Sequence, residues 1–526
     1  MPARSRPVFG GAIAVDGEDP NAGAGAGAGA FGGATPGRTG DVGVEARGIL
    51  PIEPDRRYGS AWRMFTVWFA PNVETSGIFV GAIGASLGLG MAWGSVAVVV
   101  GTVLGSIPVA MLCAWGPTTG AGQLPTARLP FGRAVIVPAV VQWLSTIAWD
   151  AIVGLFGGEA LEYVLHVPFA AGVAIVIAAE GLVAVVGHEL IHVLEIASTV
   201  VVGALFVLLS VKILTHPALT PAQAAVHGRL FAGALILMVT LTFSNGISWA
   251  SYASDYSRYL PTSTSRRAIF WYTLAGLVAS YVWMEEVGLA AGRFLTDQTA
   301  VGIDHLAGGG GVGIVVLLGV ALGAISSNTL NDYTGSLAMQ TLNVRLRRPV
   351  TAAVVMSCAY GLVLWLHAGA IVTRFTDLLL FSSYWLSPFV AIVAIDWHYR
   401  RSTIDRDIRT IVSWRRLSSG WPALVALVVG FAAAVPFMDA GGVVEGPVAR
   451  ALDGGDLAYY VGFVVAAAVY WPWRRQAARR PGPGDTRPGP GDTRPGPGDT
   501  RPGPGPSAPL GPGPSAPLSP GPSAPR

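Results

Sequence analysis

Long stretches without a charged side chain are the feature that most constrains the fold of this chain. Residues 75–127 contain no Asp, Glu, Lys or Arg, and similar stretches recur as far as residue 473. A helix needs about 20 mostly apolar residues to cross the hydrocarbon core of a bilayer. Because lipid offers no partner for a free backbone N–H, such segments must be helical. They predict an all-α polytopic membrane protein with about twelve spans, two within residues 75–127 and the others at residues 134–149, 163–179, 196–211, 230–254, 268–284, 305–331, 349–373, 378–395, 417–438 and 457–473.

The composition excludes several classes of function. Hydrophobic residues make up 52% of the chain and charged residues 12%, against about 25% charged residues in a soluble globular protein. A soluble enzyme and a disordered scaffold are therefore excluded for the bulk of the chain, which belongs in a lipid bilayer. A formal charge of +3 gives no reason to expect a nucleic-acid partner. Both cysteines, Cys113 and Cys358, lie in apolar runs, so we expect neither a metal centre nor a bound cofactor.

Basic residues predict the orientation of the spans. Arg residues cluster before the first span and then in every second loop, whereas the intervening loops are poor in Arg and carry several acidic residues. Loops enriched in Arg and Lys lie on the cytoplasmic side of a membrane. The pattern predicts a multi-pass protein of the cytoplasmic (plasma) membrane with both termini in the cytoplasm, and an odd number of spans would break the alternation.

The chain divides into three parts. Residues 1–50 include a run of Ala and Gly, and residues 476–526 contain a Pro- and Gly-rich heptad that repeats three times from Arg480. Such compositions cannot form a packed core. We therefore predict disordered cytoplasmic tails at 1–50 and 476–526 and a twelve-helix transporter domain at 51–475.

The first span extends N-terminally of residue 75, and residues 68–77 contain a predicted interruption. Pro71 removes one backbone hydrogen bond, and Asn72, Glu74 and Gly77 follow it. In secondary transporters, interrupted helices at mid-membrane expose carbonyls to a cation and amides to a substrate. A continuous but kinked packing helix is the alternative. Glu74 is a candidate cation-coupling residue because a buried carboxylate can exchange a proton.

The sixth span shows a similar composition. Residues 244–261 combine small and hydroxyl side chains around Trp249, which indicates a second unwound point or a close helix crossing. Spans 1 and 6 are five apart. This spacing is typical of two five-helix inverted repeats, to which two C-terminal helices would be added.

Spans 3 and 8 carry candidate ligand-binding groups. Trp149 offers a planar π-face on which a heterocycle could stack, and the carboxylate of Asp150 could bind its N–H edge. The hydroxyls of Ser326 and Ser327 suit Na⁺, and Asn331 can both donate to and accept from a base. The alternatives are an interfacial Trp in span 3 and polar helix–helix contacts in span 8.

Other ionisable residues lie near the predicted span ends, where a long side chain can extend to the interface. We place five residues in this class: Glu180, Lys212, Glu285, Glu286 and Asp396.

Residues 188–192 match the pattern H-E-x-x-H, which is typical of zinc proteases. An intramembrane zinc protease is therefore a remote alternative. The segment falls in the predicted loop between spans 4 and 5, and no third zinc ligand is evident in the sequence.

Several motifs together give the chain a family resemblance. It resembles the nucleobase–cation symporter family, specifically its purine–cytosine permease branch, over about residues 50–475. The matching segments are residues 52–57, Trp68, Phe69 and Asn72, residues 116–120 and 127–132, Trp149 with Gly157 and Gly158, residues 253–261, and Asn331 with Tyr333.

The resemblance implies a five-plus-five inverted-repeat fold that imports cytosine or a purine by alternating access, coupled to H⁺ or Na⁺. It implies that the base stacks on Trp149 and is held by polar groups near Asn72, Trp249 and Asn331, with Asn328 beside them, while Ser326 and Ser327 lie on the cation side. The chain departs from the family pattern at Asp150 and at Val153, where relatives can carry an amide. This departure leaves allantoin, a hydantoin or thiamine open as substrates.

Overall fold

A computed structural model of the protein describes residues 49–479, apart from 187, 216–225, 293–298 and 343–347. The described chain is almost entirely helical, with two short strands, β1 (Asp439–Ala440) and β2 (Val444–Glu445), that pair antiparallel. In chain order the helices are α1 (Arg63–Phe69), α2 (Thr75–Ser86), α3 (Gly90–Cys113), α4 (Gly116–Thr119), α5 (Gln123–Thr126), α6 (Arg128–Phe131), α7 (Ile136–Leu165), α8 (Phe169–Val186), α9 (His188–Leu214), α10 (Gly228–Ser248), α11 (Ala253–Ser257), α12 (Arg266–Ala291), α13 (Thr299–Ala307), α14 (Gly310–Thr341), α15 (Arg348–His367), α16 (Ile371–Ser383), α17 (Leu386–Arg400), α18 (Ile404–Asp407), α19 (Trp421–Ala434), α20 (Pro447–Ala451) and α21 (Ala458–Arg479).

These helices account for the twelve predicted spans. Three spans are each built from two helices: α1 with α2 form span 1, α10 with α11 form span 6, and α16 with α17 form span 10. Spans 2 to 5 are α3, α7, α8 and α9, spans 7 to 9 are α12, α14 and α15, and spans 11 and 12 are α19 and α21. By length and composition, six helical segments of the described chain are long and apolar enough to cross a membrane, and five shorter apolar helices join them. The predicted all-α polytopic architecture is confirmed.

Span 1 is interrupted where the sequence predicts. α1 ends at Phe69, and a 3₁₀ turn covers Ala70–Asn72. α2 then starts at Thr75, with Glu74 in an extended conformation as its N-cap. The Glu74 carboxylate accepts the backbone N–H of Ser76 at 2.7 Å, which satisfies one of the free donors at the start of the helix.

Span 6 is interrupted at the corresponding place. α10 ends at Ser248, a 3₁₀ turn covers Trp249–Ser251, and α11 begins at Ala253. Both predicted interruptions are confirmed, so spans 1 and 6 begin the two five-helix halves in the same way. The alternative of a continuous, kinked first span is wrong.

Small residues allow the helices around these interruptions to pack closely. A Cβ atom on Gly246 of α10 would lie 2.9 Å from the carbonyl carbon of Gly105 on α3. A Cβ atom on Gly157 of α7 would lie 2.8 Å from the Cβ of Ala324 on α14. Because lipid gives helices no hydrophobic reason to associate, close backbone contact of this kind supplies the packing energy.

Two of the five residues assigned to span ends are instead deeply buried. Glu180 lies within α8 and Glu285 within α12, and both are 0% exposed. The Glu285 carboxylate accepts hydrogen bonds from Thr102 (2.7 Å) and from Asn245 (2.9 Å). The prediction that these two side chains extend to the interface is wrong, because α8 and α12 continue past the predicted span ends.

The remaining three of the five lie nearer to helix ends. Lys212 is half-buried in the last turn of α9, and Glu286 is half-buried and accepts a hydrogen bond from Ser95 at 2.7 Å. Asp396 is buried rather than solvated, and it pairs with Arg400 at 2.6 Å and with Arg474 at 2.7 Å. The prediction that Asp396 extends to the interface is therefore also wrong, because paired Arg side chains rather than water compensate its charge.

The H-E-x-x-H segment does not form a loop. α8 ends at Val186 and α9 starts at His188, so residues 188–192 form the first turn of a long helix. Their side chains lie outside the described residues. In the described part of the chain, no group of three or more His, Cys, Asp and Glu side chains is placed to hold a metal ion.

Candidate functional site

The two interruptions face a common cavity. Helices from spans 1, 3, 6, 7 and 8 surround it, and its lining residues are Asn72, Glu74, Ser76, Trp149, Val153, Ser248, Trp249, Tyr252, Tyr281, Ser327 and Asn331. The volume of this cavity is about 10 Å³, which is about the space that one water molecule needs. The lining side chains must therefore move apart before a planar heterocycle can enter.

A hydrogen-bond junction joins the interruptions of spans 1 and 6. The indole N–H of Trp249 donates to the side-chain oxygen of Asn72 at 2.8 Å and to the hydroxyl of Tyr281 at 2.7 Å. The amide nitrogen of Asn72 in turn donates to the carbonyl of Trp68, at 2.7 Å. Trp68 packs its ring edge-on against Trp249, with ring centroids 5.6 Å apart. The junction is buried, and it fixes both aromatic and amide groups at the cavity wall.

The opposite wall carries a second amide. Trp149 is 8% exposed and borders the cavity, with Val153 one turn further along α7. The Tyr252 hydroxyl donates to the side-chain oxygen of Asn331 at 2.8 Å, and the Asn331 amide donates to Asn328 at 3.3 Å. The cavity thus has indole faces and amide groups on different helices, which is the arrangement a flat polar heterocycle requires.

Carboxylate, hydroxyl and carbonyl oxygen atoms lie close to the start of α2. The carboxylate of Glu74 accepts both the backbone N–H and the hydroxyl of Ser76. A Cβ atom on Gly323 of α14 would lie 3.3 Å from the carbonyl oxygen of Val73, so this carbonyl faces α14 about one turn before Ser327. Carbonyl, hydroxyl and carboxylate oxygens are the ligands that a hard cation prefers. The same carboxylate can bind a proton instead.

The structure brings six of the nine predicted site residues to the cavity: Asn72, Glu74, Trp149, Trp249, Ser327 and Asn331. The other three lie behind its wall. Asn328 donates its amide to the carbonyl of Asp150 at 3.0 Å, and the Asp150 side chain and Ser326 are 0% exposed and do not line the cavity.

Five lining residues were not predicted as site residues: Ser76, Val153, Ser248, Tyr252 and Tyr281. Val153 is a position at which the sequence departs from the family pattern. Ser248 and Tyr252 lie within the segment 244–261, and Ser76 lies within the predicted interruption of span 1, so the local composition already marked these regions. Tyr281 had no such signal. It lies in a regular helix, and its contact with Trp249 depends on how α12 packs against span 6.

The fold and the cavity together are typical of a multi-pass membrane transporter with discontinuous helices. The sequence comparisons specify the family. A family described as "Permease for cytosine/purines, uracil, thiamine, allantoin" matches residues 51–462, and the chain belongs to it. Its description agrees with the purine–cytosine permease resemblance of the sequence motifs, and membership of a permease family makes the chain a transporter rather than an enzyme.

Individual relatives cover most of the chain. YxlA of Bacillus subtilis (strain 168) is 27% identical over 438 residues, which is 81% of this chain and 95% of YxlA. The purine-cytosine permease fcyB of Emericella nidulans is 26% identical over 453 residues, which is 82% of this chain and 88% of fcyB.

A solved structure shares the fold. The inward-facing conformation of Mhp1 superposes with a TM-score of 0.63 at 18% identity, covering 83% of this chain and 95% of Mhp1. A second Mhp1 structure, of a closed conformation with bromovinylhydantoin bound, gives a TM-score of 0.62 and describes Mhp1 as a nucleobase-cation-symport-1 family transporter.

Proposed function

We propose that this protein imports a nucleobase, cytosine or a purine, by alternating access coupled to an ion gradient. The observation that carries the proposal is the cavity itself. Two indoles, Trp149 and Trp249, and two amides, Asn72 and Asn331, line one cavity from four different helical segments. A base would stack on Trp149, while the amides would bind its polar edges, since an amide offers both a donor and an acceptor.

At about 10 Å³ the cavity is too small for a base, so the proposed transport requires that the protein alternate with more open states. On one side, the Asp255 carboxylate accepts the backbone N–H of Gln123 and the hydroxyl of Thr334, each at 2.8 Å. These bonds join α5, α11 and α14. We infer that they close the path from the cavity to the loops that we predict to be cytoplasmic, and that they break when the protein opens inward. The proposed orientation, with both termini in the cytoplasm, derives from the distribution of Arg residues in the loops.

The coupling ion in the proposal is H⁺, with Na⁺ as the alternative. Glu74 supports H⁺, because its carboxylate lies at the cavity and at the interruption of span 1. The Val73 carbonyl and the Ser327 hydroxyl, which face the same region, support Na⁺. Collapsing the Na⁺ gradient at constant pH separates the two. Unchanged uptake would eliminate Na⁺, whereas loss of uptake would eliminate H⁺ as the sole driving ion.

A second candidate is the import of another small heterocycle. Val153 presents an apolar side chain to the cavity beside Trp149. The family description includes thiamine and allantoin, and a relative of Saccharomyces cerevisiae, 24% identical over 327 residues, is named vitamin B6 transporter TPN1. An apolar side chain at this position would suit a substrate with a hydrophobic edge.

One uptake experiment tests the proposal. Cells that lack their own nucleobase permeases would express the protein, and the uptake of radiolabelled cytosine and adenine would be measured. Unlabelled bases, allantoin, a hydantoin and thiamine would be added as competitors. Uptake of a base that other bases inhibit would support the proposal. Inhibition by the non-base heterocycles alone would favour the second candidate, and no uptake of any of them would contradict both.

A further inference from the structure

Three buried carboxyl groups lie outside the cavity lining. Asp150 is on α7, Glu180 is on α8 and Asp332 is on α14, and all three are 0% exposed. None of their six side-chain oxygens accepts a hydrogen bond from the described residues. We name these three residues the acidic trio. The polar groups beside two of them are neutral amides, Asn331 beside Asp150 and Asn328 beside Glu180. No structural role that requires an acidic side chain is evident at any of the three positions.

The members of the acidic trio are close enough for their charges to interact. Asn328, one turn before Asp332 on α14, donates to the backbone carbonyl of Asp150 at 3.0 Å. A Cβ atom on Gly157 of α7 would lie 3.1 Å from Val176, which is one turn before Glu180 on α8. The packing of these three helices therefore brings the carboxyl groups into one region, where the charge of Asp332 acts on Asp150 and on Glu180. A buried carboxylate without a partner is strongly disfavoured, and three such groups in one place also repel one another. A bound cation would relieve both costs, because it would compensate the buried negative charge.

The neighbouring helices do not supply that positive charge in the described part of the chain. From span 6, the group that faces the trio is the Tyr252 hydroxyl. Arg258 donates instead to the hydroxyl of Tyr333, at 2.8 Å, and to that of Tyr259, at 3.1 Å. Lys212 of α9 lies beside Gly308, at the start of α14 and more than six helical turns from Asp332.

Further titratable groups on the helices around α7 and α14 are engaged elsewhere. Asp255 of α11 accepts hydrogen bonds from Gln123 and Thr334. Glu74 of span 1 packs against α14 at Gly323 and is bound by Ser76. His367, at the end of α15, lies 3.9 Å from Glu159.

The cation that best fits the trio is the proton. The described residues contain no group of three acidic, His or Cys side chains arranged to hold a metal ion. A proton needs no converging ligands, because it neutralises a single carboxylate by forming an O–H bond.

A chain of hydrogen bonds joins the trio to the cavity. The Tyr252 hydroxyl donates to Asn331, the Asn331 amide donates to Asn328, and the Asn328 amide donates to the backbone carbonyl of Asp150. Tyr252 and Asn331 line the cavity. A substrate that binds the Asn331 amide must therefore replace at least one hydrogen bond of this chain. The replacement alters the position of Asn328 and with it the hydrogen bond to the backbone of Asp150 on α7.

We propose that the acidic trio is a proton-binding site that couples the proton gradient to transport. This inference rests on the proposed function, that the chain imports a base. A carboxylate of the trio takes a proton from the external water when the protein faces outward. After the protein opens inward, the carboxyl group releases that proton to the cytoplasm. The bonds of Asn331 and Asn328 make proton binding and base binding depend on each other.

Purified protein in liposomes tests the proposal with two readouts. The first is the accumulation of radiolabelled cytosine or adenine driven by an inside-alkaline pH gradient, together with acidification of an internal pH-sensitive dye. The second is exchange of the labelled base against the same unlabelled base without a gradient. The variants are Asp150→Asn, Glu180→Gln and Asp332→Asn. Glu286→Gln is the matched control, because Glu286 is half-buried, bonded to Ser95 and away from the cavity.

We expect at least one trio variant to exchange the base within about twofold of the wild-type rate, while its gradient-driven accumulation ratio falls to about 1 and its acidification is lost. The control should keep both readouts. Isothermal titration of wild-type protein with cytosine or adenine, in buffers of different ionisation enthalpy, gives a second measurement that needs no variant. It should detect protons taken up with the base.

Three results would overturn the proposal. Folded trio variants could acidify the liposomes as the wild type does, or base binding to the wild type could take up no protons at any pH between about 5 and 8. The wild type could also exchange neither cytosine nor adenine. That last result would reject the proposed function itself. In the first two results the protein still binds or exchanges the base, so they reject only the assignment of proton coupling to the acidic trio.

Discussion

Replacement of Trp149 tests the proposed stacking site most directly. Its indole is 8% exposed and borders the cavity, so a bound base would cover the remaining face. Stacking of a base on an aromatic side chain contributes about 1–3 kcal/mol, which is about a 5- to 150-fold change in Kd. Trp149→Ala should weaken the binding of cytosine by this factor. Trp149→Phe keeps an aromatic face and should lose less.

The assay is equilibrium binding of radiolabelled cytosine, or adenine, to purified protein in detergent. Trp143→Ala is the matched control, because Trp143 is half-buried on the same helix and does not line the cavity. Since replacing a large buried side chain by Ala can cost about 3–5 kcal/mol of stability, the thermal unfolding of each variant must be measured beside its affinity. A folded Trp149→Ala variant with wild-type Kd would refute the stacking role.

Three further predictions concern the junction, the helix packing and the loop between α19 and α21. Asn72→Ala removes one acceptor of the Trp249 indole N–H and a proposed ligand of the base, and should raise Kd about 2- to 10-fold in the same binding assay. Gly105→Val would place a side chain against the backbone of Phe243 and should destabilise the protein by about 1–3 kcal/mol. The measurement is a lower Tm, and an unchanged Tm would contradict the close packing of α3 and α10. Burial, together with the charges of Asp456, Glu445 and Asp377, raises the pKa of Asp439 to about 6, so ionisation of Asp439 removes stability as the pH rises from about 4 through 6. Asp439→Asn should therefore raise Tm above pH 7 and change it little near pH 4, and a Tm difference that does not vary with pH would contradict this pKa.

The cavity wall depends on side chains that neighbouring helices hold in place. Asn72, Trp249 and Tyr281 belong to three different spans and share one indole N–H. Movement of any of these spans must break a hydrogen bond of this junction. We therefore expect that opening of the cavity changes the junction as a unit, and that substitutions at these positions have non-additive effects on binding.

The sequence by itself determined that the chain is an all-α polytopic membrane protein and where two of its spans are interrupted. Both properties are local. The length of an uncharged stretch decides whether a helix can cross the bilayer, and Pro71 removes a backbone hydrogen bond wherever its helix packs. Polar and small residues around Trp249 mark the second interruption in the same way, so the two interruptions could be placed without coordinates.

The tertiary structure decided which side chains reach the cavity. Successive residues of an α-helix are rotated by about 100°, so Trp149 and its neighbour Asp150 face different surroundings, although the sequence suggested that both bind one substrate. Whether α7 turns Trp149 or Asp150 toward the cavity depends on its packing against α14. Tyr281 borders the cavity, and Glu180 and Asp332 lie near Asp150, for the same reason. The orientation of each helix about its own axis is set by contacts with other helices, and no local pattern in the chain encodes it.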